Sequence, residues 1–376
     1  MKIRNDISLY IHIPFCVQKC KYCDFLSFSS LEEDRNSYIQ ELKKELQWKS
    51  QWASGASVIS VFFGGGTPSI LRVEQMEELL SLIKEYYTLT EDVEITMEAN
   101  PGTLTVETLL QYQRIGINRL SIGLQSGDDQ ELAMLGRIHT WEQFERNYRD
   151  ARKVGFENIN VDLMSALPGQ TIESYQKTLK KVVRLDPEHI SAYSLIVEEG
   201  TPLYEDEILL EKLPGEELDR QMYQMTKEFL HAHGYERYEI SNYAKPGYEC
   251  RHNSVYWTGG EYLGFGLGAS SFFKGKRFHN EETLSKYRFD GTPQDVEVLT
   301  KEDKMGEFMF LGLRMTKGVN VEDFYQKFGH TMEEIYGQVI RKHEKEGLLI
   351  CKNGIVKLTD RGLDVSNYIF CDFLIE

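Results

Sequence analysis

Three cysteines, Cys16, Cys20 and Cys23, stand in eight residues as C-x3-C-x2-C. Six cysteines placed at random in 376 residues would give this spacing on the order of once in a thousand chains. Thiolates at such density bind metal, and a structural zinc usually closes its shell with four ligands. Here no fourth Cys or His follows at short range, although His12 lies four residues before Cys16. Three thiolates on one loop suit a 4Fe-4S cluster with one iron open to an exogenous ligand; zinc and a chance grouping are the alternatives. Cys250, Cys351 and Cys371 are scattered, so no disulfide framework is expected.

A loop of this kind needs rigid elements around it. Apolar runs rich in β-branched residues predict strands at 8–13, 58–63, 93–99, 119–124, 158–163 and 189–195. Between them lie helical patterns, such as Met76, Leu79, Leu80, Ile83 and Tyr87, and a helix capped by Thr105 and stopped at Gly116. Six strands joined by crossovers make an α/β protein with a partial (β/α)6 barrel. Beyond residue 200 the alternation breaks into a helix at 216–233, a strand at 236–240 and a Gly-rich, aromatic segment at 243–273. A boundary near 291–295 divides the chain into a barrel with an accessory segment, 1–294 with its core at about 8–235, and a smaller unit, 295–376. Helical patterns at 301–313, 321–328 and 332–346, then a hairpin at 348–358, give the smaller unit a winged-helix-like order.

Successive strand ends carry polar groups. The second runs into Gly64, Gly65, Gly66, Thr67 and Pro68; the third ends at Glu98, the fourth at Gln125, and the fifth contains Asp162. In a parallel barrel the C-terminal strand ends form one rim where sites are built, so these residues should converge on the cysteine loop. Singly each is an ordinary turn or loop residue; their joint placement is the signal. The glycines would let backbone groups approach a small ligand.

The formal net charge is −16, and residues 296–376 carry 11 basic against 14 acidic side chains, so no nucleic-acid partner is expected. No apolar run approaches the roughly 18 residues of a membrane span, and Arg4, Asp6, His12 and Pro14 interrupt the stretch where a signal peptide would be apolar. The expected location is cytoplasmic.

The string Tyr10-Ile-His12-Ile-Pro14-Phe-Cys16-x3-Cys20-x-Tyr22-Cys23, with GGGTP, EANP and IGLQS-x8-LGR-x-H, resembles the radical S-adenosylmethionine superfamily, in its coproporphyrinogen dehydrogenase-like branch. The likeness runs from residue 8 into the C-terminal unit. It implies a 4Fe-4S cluster on Cys16, Cys20 and Cys23 whose open iron is chelated by S-adenosylmethionine. It also implies that Tyr10, Tyr22, Gly65, Gly66, Thr67, Glu98, Gln125, Arg137 and Asp162 line the S-adenosylmethionine pocket, and aromatic residues at Phe15, Tyr22 and Phe25 would keep water from the cluster. The dehydrogenases themselves carry a fourth cysteine two residues after the third, where this chain has Phe25, and a longer N-terminal extension, for which 15 residues before Cys16 leave little room. Both departures point to the related heme chaperones, with a tetrapyrrole-acting radical enzyme as the alternative. That group is also similar in Cys250-Arg-His252-Asn253-x2-Tyr256-Trp257, which implies heme as a further ligand with His252 holding it, Cys250 as second candidate, and acceptor hemoproteins as partners. A homodimer and transient membrane contact through an acceptor stay open.

Overall fold

The computed structural model describes residues 6–29 and 31–374; residues 1–5, with Arg4 of the signal-peptide reading, and residues 30, 375 and 376 lie outside the described residues. Six parallel strands stand side by side in chain order: β1 (Asp6–Ile13), β2 (Ser57–Gly65), β3 (Thr88–Ala99), β4 (Arg119–Gln125), β5 (Ile159–Ser165) and β6 (His189–Ser194). Five helices cross between them: α1 (Glu32–Lys49), α2 (Val73–Tyr86), α3 (Val106–Ile115), α4 (Trp141–Lys153) and α5 (Ile172–Val183). All seven residues of β4 are buried, as expected of a parallel strand covered on both faces. The caps behave as their chemistry requires, with Thr105 accepting from the Thr108 amide and Gly116 ending α3 at a left-handed φ of 110°. Strand β3 begins earlier than its apolar run because its first residues, half-exposed and polar, still pair with the start of β2.

Downstream come α6 (Glu216–His231), β7 (Glu236–Arg237), β8 (Asn242–Ala244), α7 (Arg251–Trp257) and β9 (Glu261–Phe265), then β10 (Ser270–Phe273), β11 (Lys276–His279) and β12 (Gln294–Val298). Strand β9 corrects the six-strand expectation. It pairs parallel to β1, from Ile7 with Glu261 to Ile11 with Phe265, as a seventh parallel strand drawn from the Gly-rich segment. The sheet of twelve strands ends in β7 on one side and β12 on the other, so the barrel stays open. The strand expected at 236–240 stops at Arg237, because the next residues turn and Glu239 bridges to Met315 instead. Strand β12 lies across and beyond the boundary expected near 291–295 yet pairs with β11 of the large sheet.

The C-terminal unit has its own core, containing Met309, Phe324, Val356 and Ile369. Helices α8 (Lys301–Gly312), α9 (Val321–Phe328) and α10 (Met332–Lys345) pack with an antiparallel sheet of β13 (Val319–Asn320), β14 (Leu349–Lys352) and β15 (Ile355–Leu358). This is the expected winged-helix-like order. No helix among the described residues is long and apolar enough to cross a membrane.

One buried ion pair locks α1 to the seventh strand. Lys49 Nζ lies 2.6 Å from Glu45 Oε1, and both side chains are almost fully buried. The ammonium also donates to the Gly264 carbonyl at 2.8 Å and to Asn280 Oδ1 at 3.0 Å, while Glu45 accepts from the Gly266 amide, Asn280 and the Tyr287 hydroxyl. Removing one partner strands the other charge in a dry core. Lys49→Met should lower unfolding stability in urea by about 3–5 kcal/mol, and the double change Glu45→Gln with Lys49→Met by clearly less.

Candidate functional site

At the C-terminal rim of the parallel strands opens a cavity of about 310 Å³. Its lining includes Cys16, Cys20 and Cys23 with Tyr22, then Glu98, Gln125, Arg137 and Asp162, and Gly65 and Gly66 border it. The convergence expected from strand ends is therefore present for ten of the positions singled out. Three others lie elsewhere. Thr67 sits behind the cysteine loop, while Tyr10 and His252 face an adjoining cavity of about 170 Å³ inside the barrel, to which Glu98 and Asp162 also contribute.

The loop from residue 17 to 27 has no helix or long strand of its own, so its shape depends on neighbours. A chain of polar contacts runs beneath it. Arg137 Nη1 donates to Cys20 Sγ at 3.6 Å, Arg137 Nη2 to Asn100 Oδ1 at 2.8 Å, Asn100 Nδ2 to Thr67 Oγ1 at 2.7 Å, and Thr67 Oγ1 to Cys16 Sγ at 3.5 Å. Two of the three sulfurs are thus tied to the turns after β2 and β3 and to Arg137. Each of these donors stabilises charge on sulfur. Asn100 was visible in the EANP string but carried no assigned role; its place at the centre of this chain is set by contacts between distant strand ends.

The glycine run, which borders the cavity, also seats the cysteine loop. The Gly66 amide donates to the Ile13 carbonyl at 2.8 Å and the Thr67 amide to the Phe15 carbonyl at 2.7 Å. A Cβ on Gly66 would lie 2.6 Å from the Phe15 carbonyl oxygen, and one on Gly65, at φ 108°, would lie 2.4 Å from the His12 ring. The missing side chains let two backbones meet, which seats the start of the cysteine loop. On the other side, the Lys21 amide donates to the Leu135 carbonyl, and Gly136 leaves room for Lys21.

The carboxylates are held against water. Glu98 accepts from the Gly65 amide at 3.0 Å; burial, followed by the charge of Asp162, pushes its carboxyl up to about 8. Burial also raises Asp162, opposed by hydrogen bonds from Asn160 and Ser121. Gln125 holds a left-handed φ of 72°, rare for a residue with a side chain, and its Oε1 accepts from the Tyr193 hydroxyl at 3.2 Å. Tyr193, Ser191 and Asn253 line the same cavity and were not singled out, since no local pattern marks a lone polar residue as facing a lumen.

Among the described residues no three His, Cys, Asp or Glu side chains are gathered tightly enough to grip a single metal ion. The aromatic shield is corrected in part. Phe15 is buried against Tyr38 and Phe28 and Tyr22 borders the cavity, but Phe25 is 65% exposed at its mouth.

His252 lies apart from that cavity. It is 1% exposed, its Nδ1 pairs with Ser60 Oγ at 2.9 Å and its Nε2 with the Tyr256 hydroxyl at 2.8 Å, and Phe62 stacks on the ring at 5.0 Å. Burial, then Arg119, lowers its imidazolium to about 3, so the ring is neutral. Both nitrogens are engaged, and the cavity beside it has a volume of about 170 Å³. Cys250 is no better placed: it is fully buried against Glu94, and burial pushes its thiol up to about 12. The His-Asn-x2-Tyr-Trp segment is helix α7, packed on the barrel by hydrogen bonds from the Arg251 and His252 amides to Glu94.

Comparison with known proteins adds to this geometry. The sequence matches the Radical SAM superfamily over residues 10–182 and the HemN C-terminal domain over residues 299–365. A heme chaperone HemW of Bacillus subtilis (strain 168) is 37% identical, over 98% of this chain and 99% of its own length. The heme chaperone HemW of Escherichia coli (strain K12) is 38% identical over 85% of each chain. Among solved structures, coproporphyrinogen III oxidase (HemN) from Escherichia coli, described as a radical SAM enzyme, superposes with a TM-score of 0.88 at 24% identity, covering 99% of this chain and 90% of its own. That last likeness speaks for the fold alone. With such relatives along almost its whole length, the chain belongs to the HemW family of the radical SAM superfamily.

Proposed function

We propose that the protein is a cytoplasmic heme chaperone that binds heme and passes it to acceptor hemoproteins, on a scaffold carrying a 4Fe-4S cluster and S-adenosylmethionine. The observation that carries this reading is end-to-end similarity to relatives named heme chaperone HemW. Phe25 in place of a fourth cysteine, exposed at the cavity mouth, favours it over porphyrinogen decarboxylation. Anaerobically reconstituted protein should take up heme stoichiometrically and release it to an apo-hemoprotein. Decarboxylation of coproporphyrinogen III by the reduced protein with S-adenosylmethionine, without stable heme uptake, would overturn the reading.

Cys16, Cys20 and Cys23 would hold the cluster, which supplies an electron to the bound sulfonium. The residues present fit both groups. Three thiols face one cavity, guanidinium and hydroxyl donors reach two of the sulfurs, and the volume suits a nucleoside-sized ligand. Glu98 and Asp162 accept from ammonium or ribose hydroxyl groups, and Arg137 and Gln125 address the carboxylate and adenine. Tyr10 and Thr67 act from behind this wall, Thr67 through Cys16. Changing all three cysteines to Ala should abolish the iron-sulfur absorbance while circular dichroism stays folded; four irons per chain after that change would refute the ligand set.

The raised Glu98 carboxyl gives a second signature. At neutral pH it is protonated in the free protein, because its pKa of about 8 lies above the solution pH. An ammonium docked against it favours the carboxylate and expels the proton. Binding of S-adenosylmethionine, followed by calorimetry in buffers of different ionisation enthalpy, should release a proton near pH 7. The release should fade as pH rises through that pKa and vanish in Glu98→Gln.

A further inference from the structure

The barrel interior holds a buried cation without a contact partner. Arg119, at the start of β4, is 2% exposed, yet its guanidinium forms neither a hydrogen bond nor an ion pair among the described residues, and its Nε is buried and unpaired. It lines the cavity of about 170 Å³ together with His252, Asn253 and Tyr256 of α7. Burial works against its charge, and Cys250, Glu94, Tyr238 and Asp162, acting from beyond ion-pair contact, outweigh that burial. The two carboxylates among them are engaged elsewhere: Glu94 accepts from the Arg251 and His252 amides, and Asp162 from Asn160 and Ser121.

Most other polar side chains of this cavity are occupied with each other. Asn160 pairs with His189 and Asp162, Ser191 with Asn160, Ser121 with Asp162, and Tyr256 with His252. The Asn253 side-chain amide is different: it makes no hydrogen bond to another described residue, and Asn253 borders both this cavity and the one at the cysteine loop. Glu98, pushed up to about 8 by burial and then by Asp162, is a neutral acid at pH 7 and repels no anion. A guanidinium left without a partner in a place that excludes water is costly, and the group that matches its fork of N–H donors is a carboxylate. The volume admits a carboxylate on a short alkyl arm and not a whole macrocycle.

We propose that Arg119, aided by the Asn253 amide, is a carboxylate receptor in the barrel interior that takes the alkyl carboxylate arm of a ligand beside His252. The receptor stands on the cavity itself. That the arm is a propionate of the tetrapyrrole rests on the heme-chaperone reading, a free short-chain acid being the other source of the same chemistry. On that reading the macrocycle docks at α7, which carries both His252 and Asn253, and Arg119 orients it by one propionate.

The test uses full-length, anaerobically reconstituted protein with propionate, its neutral isostere propionamide, hemin and hemin dimethyl ester. Propionate should raise the unfolding temperature saturably and propionamide should not. Arg119→Gln should abolish the propionate effect, and Arg119→Lys should keep part of it. Hemin should bind roughly tenfold more tightly than its dimethyl ester, and propionate should compete with it. Arg119→Gln should remove the preference for hemin over the ester while iron-sulfur absorbance and S-adenosylmethionine binding persist. The ester comparison and the competition are made on wild type, so they decide the matter even where a change at this buried position prevents folding. Stabilisation by propionate through Arg119, with hemin and its ester bound alike and no competition, supports the receptor and overturns its use for the tetrapyrrole. Propionate and propionamide acting alike, with hemin and its ester bound alike, overturns the receptor and leaves heme uptake to support the chaperone reading. Absence of any hemin uptake overturns that reading, and the propionate comparison alone then judges the receptor.

Discussion

Everything at the rim depends on holding an irregular loop still. Eleven residues between Cys16 and Phe28 have almost no regular structure, yet they carry two of the three thiols and the side chains around them. Backbone contact with Gly66 and Thr67 fixes where the loop begins, and the polar chain through Arg137, Asn100 and Thr67 fixes two of its sulfurs. A side chain on Gly66 would push those backbones apart, so one absent methyl group positions the whole arrangement. The strands supply rigidity; the turns after them convert it into the position of each sulfur.

The same architecture concentrates charge in a place that water reaches poorly. Glu94, Glu98 and Asp162 converge on the barrel interior, and the buried Arg119 from the start of β4 faces Glu94, Asp162 and Cys250. Burial raises both Glu98 and Asp162, and the charge of Asp162 adds to the shift of Glu98. An imidazolium at His252 would be buried and would sit against Arg119, and is suppressed. Burial and neighbouring charge thus keep His252 neutral.

How much of this could be read from sequence follows from which interactions are local. The six barrel strands are legible because each carries a short run rich in apolar and β-branched residues that ends in a polar or glycine-rich turn, and the cysteine spacing is legible because its three thiols share one loop. Strand β9 is hidden, since Glu261, Tyr262 and Gly264 break any apolar run and only pairing with β1 makes the segment a strand. Asn100, Tyr193 and Arg119 are hidden for a related reason: their roles come from contacts with residues tens of positions away. The His252 segment is ambiguous in sequence because a histidine among aromatic residues has the same composition whether it binds a ligand or fills a core.

The C-terminal unit is more than an appendage. Asp360 pairs with Lys227 of α6 and Arg237 of β7, Thr316 donates to the Tyr238 carbonyl, and Ile240 packs on the unit's own core. These contacts fasten it against the two short stretches that follow β6, on the same side as α7. A unit attached there brings its lysine-bearing helices against Trp257 at the end of α7, while His252 of the same short helix faces the barrel interior. One helix therefore borders both the polar cavity inside the barrel and the aromatic cleft against the C-terminal unit, and its residues divide between them by helical position: His252 and Tyr256 inward, Trp257 outward.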